Sequence, residues 1–394
     1  MNNDPVVIVA MARTPMGGFG GDFNAVAATE LGSAAIRAAV ERSGIDSNDV
    51  DEVYMGCVLP AGLGQAPARQ AALGAGLPLS AGCTTINKVC GSGMKTVMIA
   101  HDSLLAGNNS VIVAGGMESM SNAPYLLAKH RTGQRIGHGE VKDTMFLDGL
   151  EDAYDKGRLM GAFAQQTADE YQFSREQQDA FAIESTKRAQ AAIANGNFAD
   201  EITPFTIKSR KGDVTITIDE QPGKARIDKI PTLRPAFSKD GTVTAANSSS
   251  ISDGAAAMVL MRQSEAEKRG LKPIARIVGH ASNAQKPEQF TIAPVGAVKK
   301  LFQTTGWTKD QVDLFEINEA FAIVTMAAMK DLDLDHNKVN VHGGACALGH
   351  PLGTSGARII ISLISALQQR QLKRGIAALC IGGGEATAMA VELV

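Results

Sequence analysis

Four short stretches of the chain carry side chains that can make and break covalent bonds. In Asn87–Thr96, Cys90 follows the polar β-like run Thr84–Asn87 and precedes a helix expected from Met94 to about Leu105. That places a thiol where a strand hands over to a helix. Free backbone N–H groups and the positive end of the helix dipole favour the thiolate there, and the thiolate is the nucleophile. Gly91 and Gly93 let the chain turn tightly and keep bulk away from the sulfur. In the second stretch, Asn318 ends the apolar run Leu314–Ile317 and opens Asn318-Glu319-Ala320-Phe321. In the third, Gly343–Pro351, His350 is held between Gly349 and Pro351, ahead of a helix from about Thr354. Its imidazole can take a thiol proton near neutral pH. In the fourth, Cys380 ends an apolar strand just before the triplet Gly382–Gly384, whose N–H groups are free to stabilise an oxyanion. Each also has a plainer reading when taken alone: a buried core cysteine at 90 or 380, a hydrogen-bonded loop histidine, a helix cap at Asn318. Cys57, Cys83 and Cys346 read as structural. His101, His130, His138, His280, His336 and His342 show no ligand spacing along the chain.

The elements that must position these groups alternate between strand and helix. Val6–Ala10 reads as a strand, Glu30–Ser43 as a helix and Asp51–Met55 as a strand, followed by a Gly- and Pro-rich loop at Cys57–Pro67. Ser110–Ala114 is a short apolar run that ends at Gly115-Gly116. Apolar runs flanked by helices indicate a parallel sheet. From about Met117 the texture turns polar. Helical periodicity returns at Ala164–Gln172 and again at Ser174–Asn195, which opens on the capping-box pattern Ser174…Gln177. Asp213–Ile218 is β-like, Gln221–Pro235 reads as a loop, and strand texture resumes near Gly254–Met261.

The second half repeats the first. Ser43-Gly44 with Asp49–Val53 matches Thr305-Gly306 with Gln311–Phe315. Ser92-Gly93 and its helix match Ser355-Gly356 and its helix, and Val111–Gly116 matches Ala378–Gly383. The displacements are 262 to 267 residues, far too long for a solenoid. The chain is therefore two copies of one α/β domain, the first carrying an insertion. Equivalent loops from two such copies meet at one shared cleft.

Composition limits the function classes. The 394 residues are 44% hydrophobic and 20% charged with a net charge of −3, so no basic surface for nucleic acid is implied. No apolar run approaches the roughly 18 residues of a membrane span. Met1–Pro5 lacks a basic n-region and leads straight into a strand, so no targeting leader is expected. Five cysteines without a CxxC pair argue against a disulfide framework or a zinc site and for a reducing cytoplasm.

Taken together, Asn-Lys-Val-Cys-Gly-Ser-Gly, Asn-Glu-Ala-Phe-Ala, Gly-Gly-Ala-x-Ala-x-Gly-His-Pro and Cys-Ile-Gly-Gly-Gly resemble the four signatures of the thiolase family, in the family's order. The likeness includes Gly115–Ser121 and Leu233–Phe237 and runs over essentially the whole chain. Within the family the sequence is most similar to the biosynthetic group that forms acetoacetyl-CoA. The resemblance implies two duplicated βαβαβαββ domains packed as a layered α/β/α/β/α core with an inserted loop domain. The expected divisions are 1–118 plus 251–272, 119–250 and 273–394. It implies reversible Claisen condensation of two acetyl-CoA, with degradative 3-ketoacyl-CoA thiolase as the alternative. A non-catalytic acyl-CoA-binding homologue is disfavoured by the intact Cys90, His350 and Cys380, and a thiol-redox protein by the missing CxxC.

By position, the resemblance makes Cys90 the acylated nucleophile, His350 its activator at a first oxyanion hole, and Asn318 the holder of a water there. Cys380 becomes the base at the α-carbon, and the N–H groups of Cys90 and Gly382 form a second oxyanion hole. Leu150, Met160, Phe237, Ala245, Ser249, Ala320 and Phe321 fall at positions that contact CoA. Phe290 falls beside the acyl pocket, where the family's biosynthetic members usually carry Met. Leu159 likewise stands where they usually carry His, and both differences bear on acyl-chain preference. Lys224 and Arg226 are candidates to meet the CoA phosphate. No cofactor or metal is implied, the only partners are CoA thioesters, and the Gly- and charge-rich loop Gln134–Asp143 implies a homotetramer.

Overall fold

The computed structural model describes residues 4–210 and 212–394; Met1–Asn3, part of the segment read as lacking a leader, lie outside them. In the first half the strands are β1 (Val6–Arg13), β2 (Glu52–Gly56), β3 (Gly82–Ile86), β4 (Val111–Ser119) and β5 (Ser252–Arg262), with helices α1 (Ala28–Ser43), α2 (Pro67–Gly74) and α3 (Ser92–Ala106). Between β4 and β5 the chain leaves the sheet and forms α4 (Met160–Tyr171), α5 (Arg175–Ala194) and two small hairpins. Helix α5 starts at the capping box read from the sequence, with Ser174 Oγ accepting from the Gln177 N–H. The second half holds β6 (Ala275–Ala284), β7 (Leu314–Ile317), β8 (Arg374–Ile381) and β9 (Glu385–Leu393), with α6 (Ala293–Thr305), α7 (Ala322–Leu332) and α8 (Leu352–Gln369).

The two halves share one strand plan, apart from one strand missing in the second. In the first, β1–β5 and β5–β4 are antiparallel while β4–β2 and β2–β3 are parallel. In the second, β6–β9 and β9–β8 are antiparallel and β8–β7 is parallel. Even an irregularity is shared: the register slips between Ile8 and Ala10 in one copy and between Ile277 and Gly279 in the other. The copy of β3 has shrunk to a single bridge between Phe315 and Val339, so the second domain falls one full strand short of the expected pattern. The halves are also joined edge to edge rather than forming separate sheets. Val7 and Ile8 pair with Arg276 and Ala275, giving one sheet in the order β7-β8-β9-β6-β1-β5-β4-β2-β3.

Burial explains the patterns along the chain. β1 and β4 are buried throughout because helices cover both faces, and they are apolar or small up to their last residues, where Arg13 and Glu118 are buried against polar partners. Helices α1 and α2 pack on the outer face of the first half, and α6 and α7 on the outer face of the second. Helices α3 and α8 lie between the halves and share one core with both, which completes the α/β/α/β/α layering. Helix α8 is buried from Leu352 to Leu367 on all sides, its polar face included, where Arg358 meets the buried Glu316 at 3.0 Å.

The start of α3 and the start of α8 touch backbone to backbone. A Cβ on Gly93 would stand 2.8 Å from Ala357 N, and one on Gly356 would stand 2.3 Å from Met94 N. The repeated Ser-Gly pairs noticed in the sequence are thus the point where the two copies meet. Gly116 belongs to the same contact, since its Cβ would lie 1.9 Å from Gly353 O. For that reason β4 runs on through Gly115-Gly116 to Ser119 instead of ending at the glycines. A Gly356→Ala substitution is expected to force the two helices apart. Overpacking of this kind costs about 1–3 kcal/mol, read as a lower urea midpoint. An unchanged midpoint would show that the contact is looser than described.

Candidate active site

The turn that presents Cys90 is built differently from the sequence expectation. The residue with a left-handed backbone is Val89, at φ 46°, and not a glycine. It is held there by side-chain hydrogen bonds. The Val89 N–H donates to Asn87 Oδ1 at 2.9 Å, the Lys88 N–H donates to Ser92 Oγ at 2.8 Å, and Ser92 Oγ donates to Val89 O at 2.6 Å. Gly91 has ordinary helical geometry and serves close approach, because a Cβ there would lie 2.4 Å from Ile381 Cδ1. The end of β8 can therefore lie against the Cys90 turn. Lys88 and Glu385 add an ion pair of 2.5 Å between the same two segments.

The Cys90 sulfur is partly exposed into a cavity, and the N–H groups of Cys90 and Gly382 both point at it. They favour the thiolate, as a helix start would. Burial outweighs them and pushes the thiol up to about 11, with the carboxylate of Glu118 adding in the same direction. The expectation of a resting thiolate is thus corrected: walls that exclude water cost the anion more than two N–H dipoles return.

His350 hangs from a loop turned by Gly349, whose φ is 95°. Its N–H donates to Ser250 O at 3.1 Å. Ser355 Oγ donates its proton to Pro351 O at 2.9 Å and lies 2.5 Å from His350 Nδ1. A hydroxyl has only one proton to give, so with that proton on Pro351 O the ring proton is assigned to Nδ1. That assignment leaves Nε2 as a lone pair, and Nε2 has no protein partner although it is buried. Burial, aided by Arg358, lowers the imidazole to about 3, so the ring is neutral and able to accept a proton. Asn318 Nδ2 lies 3.5 Å from the ring, and Asn318 Oδ1 is likewise buried without a protein partner. Asn318 is not a helix cap, since α7 is entered from Phe321.

Cys380, on the last turn of β8, is 1% exposed and forms the wall behind Cys90 rather than the cavity lining. Burial and the neighbouring Cys90 sulfur both raise its thiol well above the usual range. Positive φ at Gly383 and Gly384 then turns the chain into β9.

The cavity has a volume of about 400 Å³. Leu150, Met160, Phe237, Ala245, Ser249, Phe290, Ala320 and Phe321 all line it, together with Cys90, His350 and Gly382. Ala245 and Ser250 are shared with a second cleft of about 510 Å³, which Lys224, Arg226 and Lys229 line. Lys224 is tied to Glu220, whereas Arg226 is mostly exposed and stands 3.9 Å from Asp228. The segment read as the loop Gln221–Pro235 is largely wound into turns, Glu220–Lys224 and Ile227–Thr232, and these bring the three cations to one cleft. Cys57, Cys83 and Cys346 face other groups and do not line the cavity.

Two buried acids were missed as positioning groups, although each stands inside a quoted motif. Glu118 accepts from the N–H groups of Val58, Leu59 and Gly353 at 2.8–3.1 Å, which fixes the loop after β2 and the start of α8. Burial raises its carboxyl to about 7. Glu319 accepts from Ser185 Oγ at 2.7 Å, Asn340 Nδ2 at 2.8 Å and the Cys346 N–H at 3.1 Å, which ties the loop bearing His350 to α5. An acid beside small residues at a strand end was the available signal.

Comparison with known proteins agrees with this geometry. Residues 6–264 match the thiolase N-terminal domain family and residues 271–393 the thiolase C-terminal domain family. The chain is 50% identical to an acetyl-CoA acetyltransferase of Schizosaccharomyces pombe, over 100% of each chain. A crystal structure of the Bacillus anthracis acetyl-CoA acetyltransferase superposes with a TM-score of 0.97 at 43% identity, over 99% of each chain. The Acat5 thiolase of Ascaris suum, solved in complex with coenzyme A, gives 0.93 at 41% identity, over 99% of this chain and 100% of that one. No helix among the described residues is long and apolar enough to cross a membrane. With two family domains that together span nearly every residue and full-length relatives at half identity, the chain belongs to the thiolase family.

Proposed function

We infer that the protein is an acetyl-CoA C-acetyltransferase, which condenses two acetyl-CoA reversibly to acetoacetyl-CoA and CoA. One observation carries this reading. The Cys90 thiol and an unpaired imidazole nitrogen of His350 meet in one apolar cavity, with the second thiol, Cys380, in the wall directly behind Cys90, and the cavity shares Ala245 and Ser250 with a basic cleft. Acyl transfer through a thioester followed by carbon–carbon bond formation needs two sulfurs of different role.

The proton balance follows from the geometry. His350 Nε2 takes the Cys90 proton as the sulfur attacks the acetyl carbonyl. The tetrahedral oxyanion is held by the N–H groups of Cys90 and Gly382. The C–S bond to CoA breaks, and the CoA thiolate leaves with the proton of Cys380. The Cys380 thiolate then takes an α-proton from the second acetyl-CoA. Its thioester oxygen is held by the His350 Nε2–H and by a water on Asn318. The carbanion attacks the acetyl group on Cys90, the new C–C bond forms, and Cys90 leaves and recovers its proton from His350. A thiol buried as deeply as Cys380 is a weak acid, so its thiolate is a strong base toward carbon. The thioester supplies both the leaving group and the α-acidity, so the proposal assigns no cofactor.

The proposal extends to the rest of the chain. The loop domain, 119–250, covers the CoA between the halves 1–118 plus 251–272 and 273–394. Arg226 and Lys229, with Lys224, meet the CoA phosphates in the basic cleft. Five free thiols suit a reducing cytoplasm. The loop 134–143 exposes Ile136 and Val141, at 97% and 60%, as an element that joins two dimers into a tetramer would. Light scattering is expected to give a tetramer, and a dimer that persists at micromolar concentration counts against this assembly.

Chain length should be set at Phe290, which is buried edge-on to Phe163 in the cavity wall. Acetoacetyl-CoA is expected to be thiolysed with higher kcat/KM than 3-ketooctanoyl-CoA, and Phe290→Ala should narrow the gap. A wild-type preference for the longer substrate would support the degradative alternative instead.

The two cysteines are separated by a pair of variants. Cys90→Ser should abolish acylation by acetyl-CoA, followed by mass spectrometry of the protein. Cys380→Ala should retain acetylation of Cys90 but lose condensation, and lose exchange of the acetyl-CoA methyl protons into deuterated water, by about 10²–10⁴-fold. Normal exchange in Cys380→Ala would reassign Cys380 as a packing residue.

A further inference from the structure

His101 and Asp102 lie on α3, in the first half of the molecule, and His280 lies on β6, in the second. His280 lies 178 residues beyond Asp102, so no ligand spacing shows along the chain. Folding brings one ligand atom from each within 4.8 Å of the others. His101 Nδ1 stands 3.0 Å and His280 Nε2 2.9 Å from the same oxygen, Asp102 Oδ1. The two rings meet edge to face, with centroids 5.0 Å apart. Their side chains are only 13% and 17% exposed, whereas that of Asp102 is 61% exposed. The packed sides of the rings are thus held by protein, and the carboxylate side opens to solvent. Among the described residues this is the one cluster of three such groups.

We propose that His101, Asp102 and His280 form a surface site for a borderline divalent transition-metal ion, such as Zn²⁺, Co²⁺ or Ni²⁺. Two imidazole nitrogens with one carboxylate oxygen suit these ions, whereas Mg²⁺ and Ca²⁺ take oxygen ligands. Bonds of about 2.0–2.2 Å in a tetrahedral site place neighbouring ligand atoms roughly 3.3–3.6 Å apart, so the two spacings from Asp102 open by about half an ångström when an ion enters. Water completes the coordination on the open side. An ion there binds N only in the folded arrangement, since one histidine comes from each half. It would clamp α3 to β6, two elements already packed around the common core, and so raise thermal stability. The cluster lies eleven residues along α3 from Cys90, outside the catalytic cavity.

The test is titration of the full-length protein with Co²⁺, read by its visible d–d absorption, and with Zn²⁺, read by calorimetry and by the melting temperature. One saturable equivalent with a raised melting temperature is expected for the wild type. His280→Gln and Asp102→Asn should each weaken binding tenfold or more and cancel the thermal shift, while acetyl transfer in metal-free buffer stays unchanged. Thiolate-to-cobalt charge-transfer bands that persist in His280→Gln would place the ion on the cysteines and overturn the proposal. Absence of saturable binding below millimolar ion would also overturn it, and would leave the three side chains as a hydrogen-bonded triad.

Discussion

The contact on which the rest depends is the backbone-to-backbone approach of α3 and α8 between the two halves. It exists because Gly93 and Gly356 have no side chain where the other helix passes, and because Gly116 and Gly56 open the sheet beneath Gly353. Close approach of two helix starts brings two loops together as well. One is the turn at Val89 that carries Cys90; the other is the loop at Gly349 that carries His350. Larger residues at the crossing would move the Cys90 sulfur away from the His350 ring by the thickness of a methyl group, and the proton transfer proposed between them tolerates little of that.

Duplication then explains why the site is asymmetric although the scaffold is not. The segments leading into the two helices carry different chemistry, Cys90 before the first and His350 before the second, at positions that are not counterparts in the repeat. The edge pairing of Val7 and Ile8 with Arg276 and Ala275 fixes the two copies relative to one another. The shared core around α3 and α8 then leaves no room for them to slide. Glu118 and Glu319 play corresponding parts, each a buried carboxylate that gathers N–H and O–H donors from loops that would otherwise be free.

Burial sets the resting state of the chemistry. Cys90 and Cys380 are raised and His350 is lowered, so each group is neutral until substrate arrives. In the proposed cycle, charge is created only when a thioester carbonyl can carry it into the N–H groups of Cys90 and Gly382. A dry cavity with fixed donors strengthens that interaction, since no water competes for the oxyanion. The apolar lining, from Leu150 to Phe321, serves the same end.

How much of this was legible in the sequence follows from the range of the forces involved. Strand and helix texture, the repeat, and the reactive side chains at strand ends are local and could be read directly. So could the set of cavity residues, once the motifs were recognised in order. What only the tertiary structure decided involves groups distant in the chain. The thiol at Cys90 looked activated because a helix start is visible locally, while the desolvation that reverses the effect comes from segments hundreds of residues away. The glycines near Cys90 looked like turn formers, but their partners Ile381 and Ala357 come from the other copy. The ring proton of His350 depends on where Ser355 sends its own. His101 and His280 carried no pattern at all until folding placed both against Asp102. The sequence by itself determined which chemistry was present and on which elements; packing between the copies decided the charge each group bears and which groups meet, because desolvation and side-chain contact depend on distance in space and not along the chain.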